Sequence, residues 1–174
     1  MFTIIKNQLG IESPSTLVLM NELKNIKEQG FLNKKQFLKI LHWKSPRPLK
    51  HYNSNLEEEI IEITKLAFNV ENDIMKLHIL TSLNGVKYPS ASAILMFYNP
   101  LIYPVLDIRV WRQLYYAKLV DTNEKGQNFK YQDCAKYYTI IRALAVEFNL
   151  SARQVEKRIF DYDIENQIGS LYKS

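Results

Sequence analysis

The stretch Leu83-Asn-Gly-Val-Lys-Tyr-Pro-Ser-Ala-Ser-Ala-Ile-Leu95 decides how the chain is read. Before it runs an apolar pattern, Ile74, Leu77, Ile79 and Leu80, that predicts a helix from about Glu71 to Leu83. Gly85 supplies a backbone conformation that costs a residue with a side chain more. Ser90, Ala91, Ser92 and Ala93 are small, so the helix expected over 88–97 can lie close against its neighbour. The segment reads as helix, very tight turn, helix, at about 74–97. Such a turn presents backbone N–H groups at a helix N-terminus, where a phosphate oxygen is welcome. Lys87 adds a full positive charge there.

Working outward, helical punctuation recurs. Ser13-Pro14 pairs an N-cap with proline at the first helical position, and Leu17, Met20, Leu23 and Ile26 follow at helical spacing until Gly30 ends the run. Asn33 caps a second helix with Phe37, Leu38, Ile40 and Leu41, which must stop before Ser45-Pro46-Arg47-Pro48. Ser54-Asn-Leu-Glu57 has the spacing of a capping box and opens a helix carrying Ile60, Ile61, Ile63, Leu66 and Phe68. Beyond the Tyr98–Pro104 loop, Asp107 opens a helix to about Leu119. A polar loop, Asp121 to Asn128, then precedes a long helix near 130–148. Ser151-Ala-Arg-Gln154 is another capping box, and residues after about Tyr162 read as a tail. No alternating strand stands out, so the expected class is all-α: a bundle of about eight helices forming one domain over 1–174.

Composition narrows the function. With 47% hydrophobic and 24% charged residues the chain has ordinary globular usage, which excludes disorder as its main state. One cysteine, Cys134, excludes a disulfide framework and any site built on several thiolates. His42, His51 and His78 show no ligand-like spacing, so no metal is expected. The opening MFTIIKNQLG is too short for a secretory signal and no run reaches the ~18 apolar residues of a spanning helix. A cytoplasmic monomer without membrane partner is the expectation. The net charge is +5, and its distribution matters more than its size. No acidic residue lies between Glu28 and Glu57, an interval holding Lys34, Lys35, Lys39, Lys44, Arg47 and Lys50. That interval reads either as a solvated face or as a phosphate-facing patch.

The 83–95 stretch resembles the hairpin of the helix-hairpin-helix DNA glycosylase superfamily, whose members typically read Leu-Pro-Gly-Val-Gly-x-x-Thr-Ala-x-x-Ile-Leu. Leu83, Gly85, Val86, Ala91, Ile94 and Leu95 match in unbroken register. Twelve residues beyond Leu95, Tyr103-Pro-Val-Leu-Asp107 falls where that family places its active-site aspartate, and Arg109-Val-Trp111 resembles its continuation. The resemblance spans roughly 74–119. Trp43-Lys-Ser-Pro-Arg47 adds a nearer likeness to small bacterial proteins of this superfamily, a likeness that carries no assigned reaction.

The resemblance implies a glycosylase-like fold and base excision from DNA, with Asp107 as the catalytic carboxylate and no metal or organic cofactor. It implies DNA contacts by Asn84, Gly85, Val86, Lys87 and Tyr88, with Lys44, Arg47 and Arg109 as further candidates. Two departures limit it. Lys87 replaces the family's second glycine, and Pro89 stands where bifunctional members carry a Schiff-base lysine, so strand cleavage by that route is not expected. Each candidate also has a plain structural role available. Asp107 is well placed as an N-cap, Trp43 as core, Tyr88, Tyr98 and Tyr103 as packing groups, and Arg109 as the partner of a surface carboxylate. A DNA-binding module without chemistry, and a helical interaction domain, therefore stay open beside the glycosylase reading.

Overall fold

The computed structural model describes residues 1–167, and among them every regular element is a helix. There are eleven: α1 (Phe2–Asn7), α2 (Pro14–Glu22), α3 (Ile26–Gln29), α4 (Lys34–Lys44), α5 (Leu49–Asn53), α6 (Glu57–Asn69), α7 (Asp73–Leu80), α8 (Tyr88–Tyr98), α9 (Ile108–Tyr116), α10 (Tyr131–Phe148) and α11 (Ala152–Asn166). None is long and apolar enough to cross a membrane.

The caps explain most boundaries. The Ser13 hydroxyl accepts from the Thr16 N–H at 3.2 Å with Pro14 at the first helical position. Asn33 and Gln36 cap each other reciprocally: Asn33 Oδ1 accepts from Gln36 N at 2.9 Å and Gln36 Oε1 from Asn33 N at 3.0 Å. Ser151 and Gln154 do the same for α11. Gly30 ends α3 in the left-handed conformation, φ 77°.

The eleven helices exceed the eight or so expected, α1 having no counterpart in the sequence reading, and several boundaries differ. The helix expected from Pro14 to Gly30 is two, because the chain turns after Glu22 and thereby buries both Leu23 and Ile26. An extra helix, α5, occupies the segment after the prolines and carries the fully buried Tyr52. It displaces the capping box. Ser54 ends α5, its hydroxyl donating to the His51 carbonyl at 2.7 Å. The next helix is capped instead through Leu56, whose N–H donates to the Glu59 carboxylate at 2.9 Å. Finally, α11 continues past Tyr162 to Asn166, held by Asp163, which is 2% exposed and accepts from Arg109 at 2.9 Å and Gln113 at 2.7 Å. The last part of the expected tail, 168–174, lies outside the described residues.

α8 is the centre of the fold. Every residue from Ser90 to Phe97 is buried, which is how a helix surrounded by others reads. α4 and α7 pack against it, α6 packs on α7, and α9 and α10 both pack on α11. Side chains from α1 through α11 contribute to one continuous apolar core, with Trp111, Tyr52, Tyr137 and Phe37 among its largest members. After a surface turn over 99–102, where Leu101 and Ile102 are exposed, non-helical backbone from Tyr103 to Asp107 passes through this core; Tyr103, Val105 and Leu106 are each 2% exposed or less.

The turn between α7 and α8 is pinned from outside. The Asn84 N–H donates to Asn55 Oδ1 at 2.7 Å, and the Asn55 amide donates back to the Asn84 carbonyl at 3.0 Å. Gly85 has φ 82°, and a Cβ there would meet the His51 Cβ at 2.7 Å and the Tyr52 ring at 3.1 Å. Conformation and space both demand glycine. Gly85→Ala is accordingly expected to destabilise the fold by about 2 kcal/mol or more, from left-handed strain and the clash with α5 together. Urea unfolding measures it.

Candidate functional site

Asp107 is placed by the extended segment before it. The Leu106 N–H donates to Ser92 Oγ at 2.8 Å, Ser92 Oγ donates to the Pro89 carbonyl at 2.8 Å, and Tyr137 donates its phenol to the Val105 carbonyl at 2.7 Å. Upstream, the Leu101 and Pro100 carbonyls accept from the first N–H groups of α11, Ala152 at 2.9 Å and Arg153 at 3.2 Å. Tyr103 is buried and donates to Asp73 at 2.6 Å. Arg142 holds the other Asp73 oxygen at 2.7 Å and the Ile102 carbonyl at the same distance.

So delivered, Asp107 caps α9. Its Oδ1 accepts from the Arg109 N–H at 2.9 Å, while its Oδ2 accepts from Lys44 Nζ at 2.6 Å. Both side chains of this ion pair are mostly enclosed, 13% exposed for Lys44 and 17% for Asp107. Lys44 reaches it from the last turn of α4, where a cation also suits the helix dipole.

The pair opens onto a cleft of about 1130 Å³. Lys44, Arg47, Val86, Lys87, Tyr88 and Asp107, six of the sequence-derived site residues, line it together. The N–H groups of Lys87, Tyr88 and Ser90, at the start of α8, donate to no acceptor among the described residues. Among the described residues that line it are three side-chain cations, Lys44, Arg47 and Lys87, and one carboxylate, Asp107.

The other three candidates lie outside it. Asn84 is held by the Ser54–Asn55 turn, its amide donating to Ser54 Oγ at 2.7 Å. Gly85 backs onto α5. The Arg109 guanidinium turns away to Asp163 and Gln167 and lies 5.7 Å from the Phe160 ring centroid. Trp43 is a packing group, edge-on to Phe97 at 5.0 Å and donating to Thr16 at 3.0 Å. Tyr98 stacks on Phe68 at 4.2 Å. The basic interval divides: Lys34 caps α5 through the Asn53 and Asn55 carbonyls, Lys39 pairs with Glu22, and only Lys44 and Arg47 reach the cleft.

The sequence reading missed other lining residues. Tyr52 on α5 hydrogen-bonds Ser90 at 3.1 Å, and burial raises its phenol pKa while Ser90 and Lys44 pull the other way. His78 Nδ1 is 3.0 Å from the Tyr88 hydroxyl, whose pKa burial also raises. Gln127, Asn128 and Phe129, from the loop read as merely polar, complete the wall. Behind the site lies Glu156, 1% exposed, paired with Arg153, which also grips Glu12 at 2.5 and 3.0 Å. Burial pushes the Glu156 carboxyl upward against the pull of Arg153.

No protein-family model, curated protein or solved structure matches the chain.

Ser92 joins the central helix to the segment bearing Asp107. Ser92→Ala leaves the buried Leu106 N–H without its acceptor, and is expected to cost about 1–3 kcal/mol. Chemical denaturation should register this as a lower midpoint with an unchanged slope.

Proposed function

We propose that the chain is a DNA-glycosylase-like protein that binds DNA across this cleft and hydrolyses the N-glycosidic bond of a damaged or modified base, with a helix-hairpin-helix turn formed by α7, α8 and the residues between them. One observation carries the reading: the Asp107 carboxylate and the Lys87 end of that turn line a single cleft. N–H groups at the start of α8 that have no acceptor among the described residues suit a phosphate, and Lys87 adds charge beside them.

The chemistry follows from the carboxylate. A base turned out of the duplex presents its C1′–N bond inside the cleft. As that bond breaks, its electron pair leaves with the base and positive charge grows on the deoxyribose. Asp107 offsets that charge and takes a proton from the attacking water, whose oxygen bonds to C1′; the departing base gains its proton from solvent. A carboxylate has about four acceptor positions. Lys44 and the Arg109 N–H use two, which leaves positions for water.

The same ion pair supports a second reading, DNA binding without chemistry. An ammonium 2.6 Å from Asp107 offsets the negative charge that a glycosyl cation needs.

Asp107→Asn separates the two, since asparagine caps a helix about as well as aspartate. The purified chain is incubated with duplexes each carrying one altered base, and abasic sites are read by alkaline cleavage. Glycosylase action predicts release from at least one duplex, lowered about 10²- to 10⁴-fold by Asp107→Asn with binding nearly unchanged. Binding without any release leaves the second reading, and absence of binding removes both. In the same assay Lys87→Ala is expected to reduce the slope of log affinity against log salt by about 1.

A further inference from the structure

Helix α5 has only five residues and is nevertheless fixed on three sides. From α4, Lys34 Nζ donates to the Asn53 and Asn55 carbonyls at 3.0 and 2.8 Å. Toward α8, the hydroxyl of the buried Tyr52 lies 3.1 Å from Ser90 Oγ. Toward the α7–α8 turn, Asn55 and Asn84 exchange two hydrogen bonds, and the Asn84 amide donates to Ser54 Oγ at 2.7 Å. A helix this short does not hold its shape alone, so these contacts set its form and its orientation.

The side chains that it turns outward are basic. His51 stands against the turn, for a Cβ on Gly85 would lie 2.7 Å from the His51 Cβ. Successive helical residues are about 100° apart around the axis, so with Tyr52 inward and His51 on the turn side, Lys50 points away from the core. Lys50 and His51 are both exposed. Neither the Lys50 ammonium nor either ring nitrogen of His51 has a partner among the described residues, and the same holds for the exposed Lys87 ammonium at the far end of the turn. Glu57, the acid nearest to them in sequence, lies instead on the α4 side, in a hollow that it lines with Leu49. Residues 44–48, which lead into α5, and Tyr52 within it line the Asp107 cleft. The outer face of α5 is therefore continuous with the edge of that cleft.

Cations held in place without acidic partners are free to replace the counterions of a polyanion. We infer that the outer face of α5 is a contact surface for the DNA backbone: a strand leaving the cleft crosses the α7–α8 turn, His51 donates to one phosphate and Lys50 pairs with another. The inference rests on DNA binding across the cleft and gives the backbone its path, over α5 rather than over the opposite wall, where residues 126–129 are uncharged.

A paired duplex of about 20 base pairs is titrated with the full chain by fluorescence anisotropy at several salt concentrations. Lys50→Ala should lower the slope of log affinity against log salt by about 1, and Lys50→Arg should keep the wild-type slope. His51→Ala retains the Cβ beside Gly85 and should weaken binding about 2- to 10-fold, the range for one hydrogen bond. Lys125→Ala, beside the opposite wall, should leave the slope as in wild type. A wild-type slope for Lys50→Ala, a wild-type affinity for His51→Ala, or a slope lowered as much by Lys125→Ala as by Lys50→Ala overturns the inference while DNA binding stands. Absence of binding by the wild-type chain overturns this inference and the function beneath it together.

Discussion

A non-helical stretch of backbone can cross a protein core only if its N–H and C=O groups find partners there. The buried stretch from Tyr103 to Asp107 meets that condition through Tyr137 and Ser92, and the exposed turn that leads into it is held by the α11 N-terminus and Arg142. The partners come from α8, α10 and α11, so the segment is the point where these helices are joined to one another. Asp107 stands at its end. The position of the carboxylate is therefore set by the interior of the fold, and the cleft is built around a fixed acid rather than around a loop.

The charges follow the same order. Arg153, 7% exposed, joins Glu12 to Glu156 and lies 5.5 Å from the Trp43 ring centroid, one residue before Lys44. Lys44 then meets Asp107. A line of alternating charge thus runs from the N-terminal segment through the last turn of α4 to the cleft. Ions taken this far out of water are tolerated because each has an opposite partner and hydrogen bonds. Arg47 and Lys87 stand at the rim of the same cleft.

Much of this was legible in the sequence, for identifiable reasons. The caps at Ser13, Asn33, Asp107 and Ser151 are local devices, decided by a side chain two or three residues from the amide it accepts from, and spacing alone reveals them. The meeting of Lys87 and Asp107 on one cleft is long-range, and the 83–95 pattern with its downstream aspartate points to it, while Lys44 enters through the acid-free interval after Glu28. What escaped depended on tertiary burial. Ser54 and Glu57 have the spacing of a capping box, but Asn55 between them is 3% exposed and bound to Asn84, which gives Ser54 to the preceding helix. Asp163 looks like a tail residue until Arg109 and Gln113 claim it. The 126–129 wall has no periodicity to betray it. Its shape comes from a tryptophan indole donating to the Asn123 carbonyl and from three left-handed residues, Asn123, Gly126 and Asn128.

The Asn55–Asn84 exchange has a geometric consequence. Two opposed hydrogen bonds between one side chain and one peptide lock the α7–α8 turn to the end of α5, much as a rung joins two rails. Arg47 lies on the approach to α5 and Lys87 on the approach to α8, so the two walls of the mouth that carry them are kept in register by that exchange.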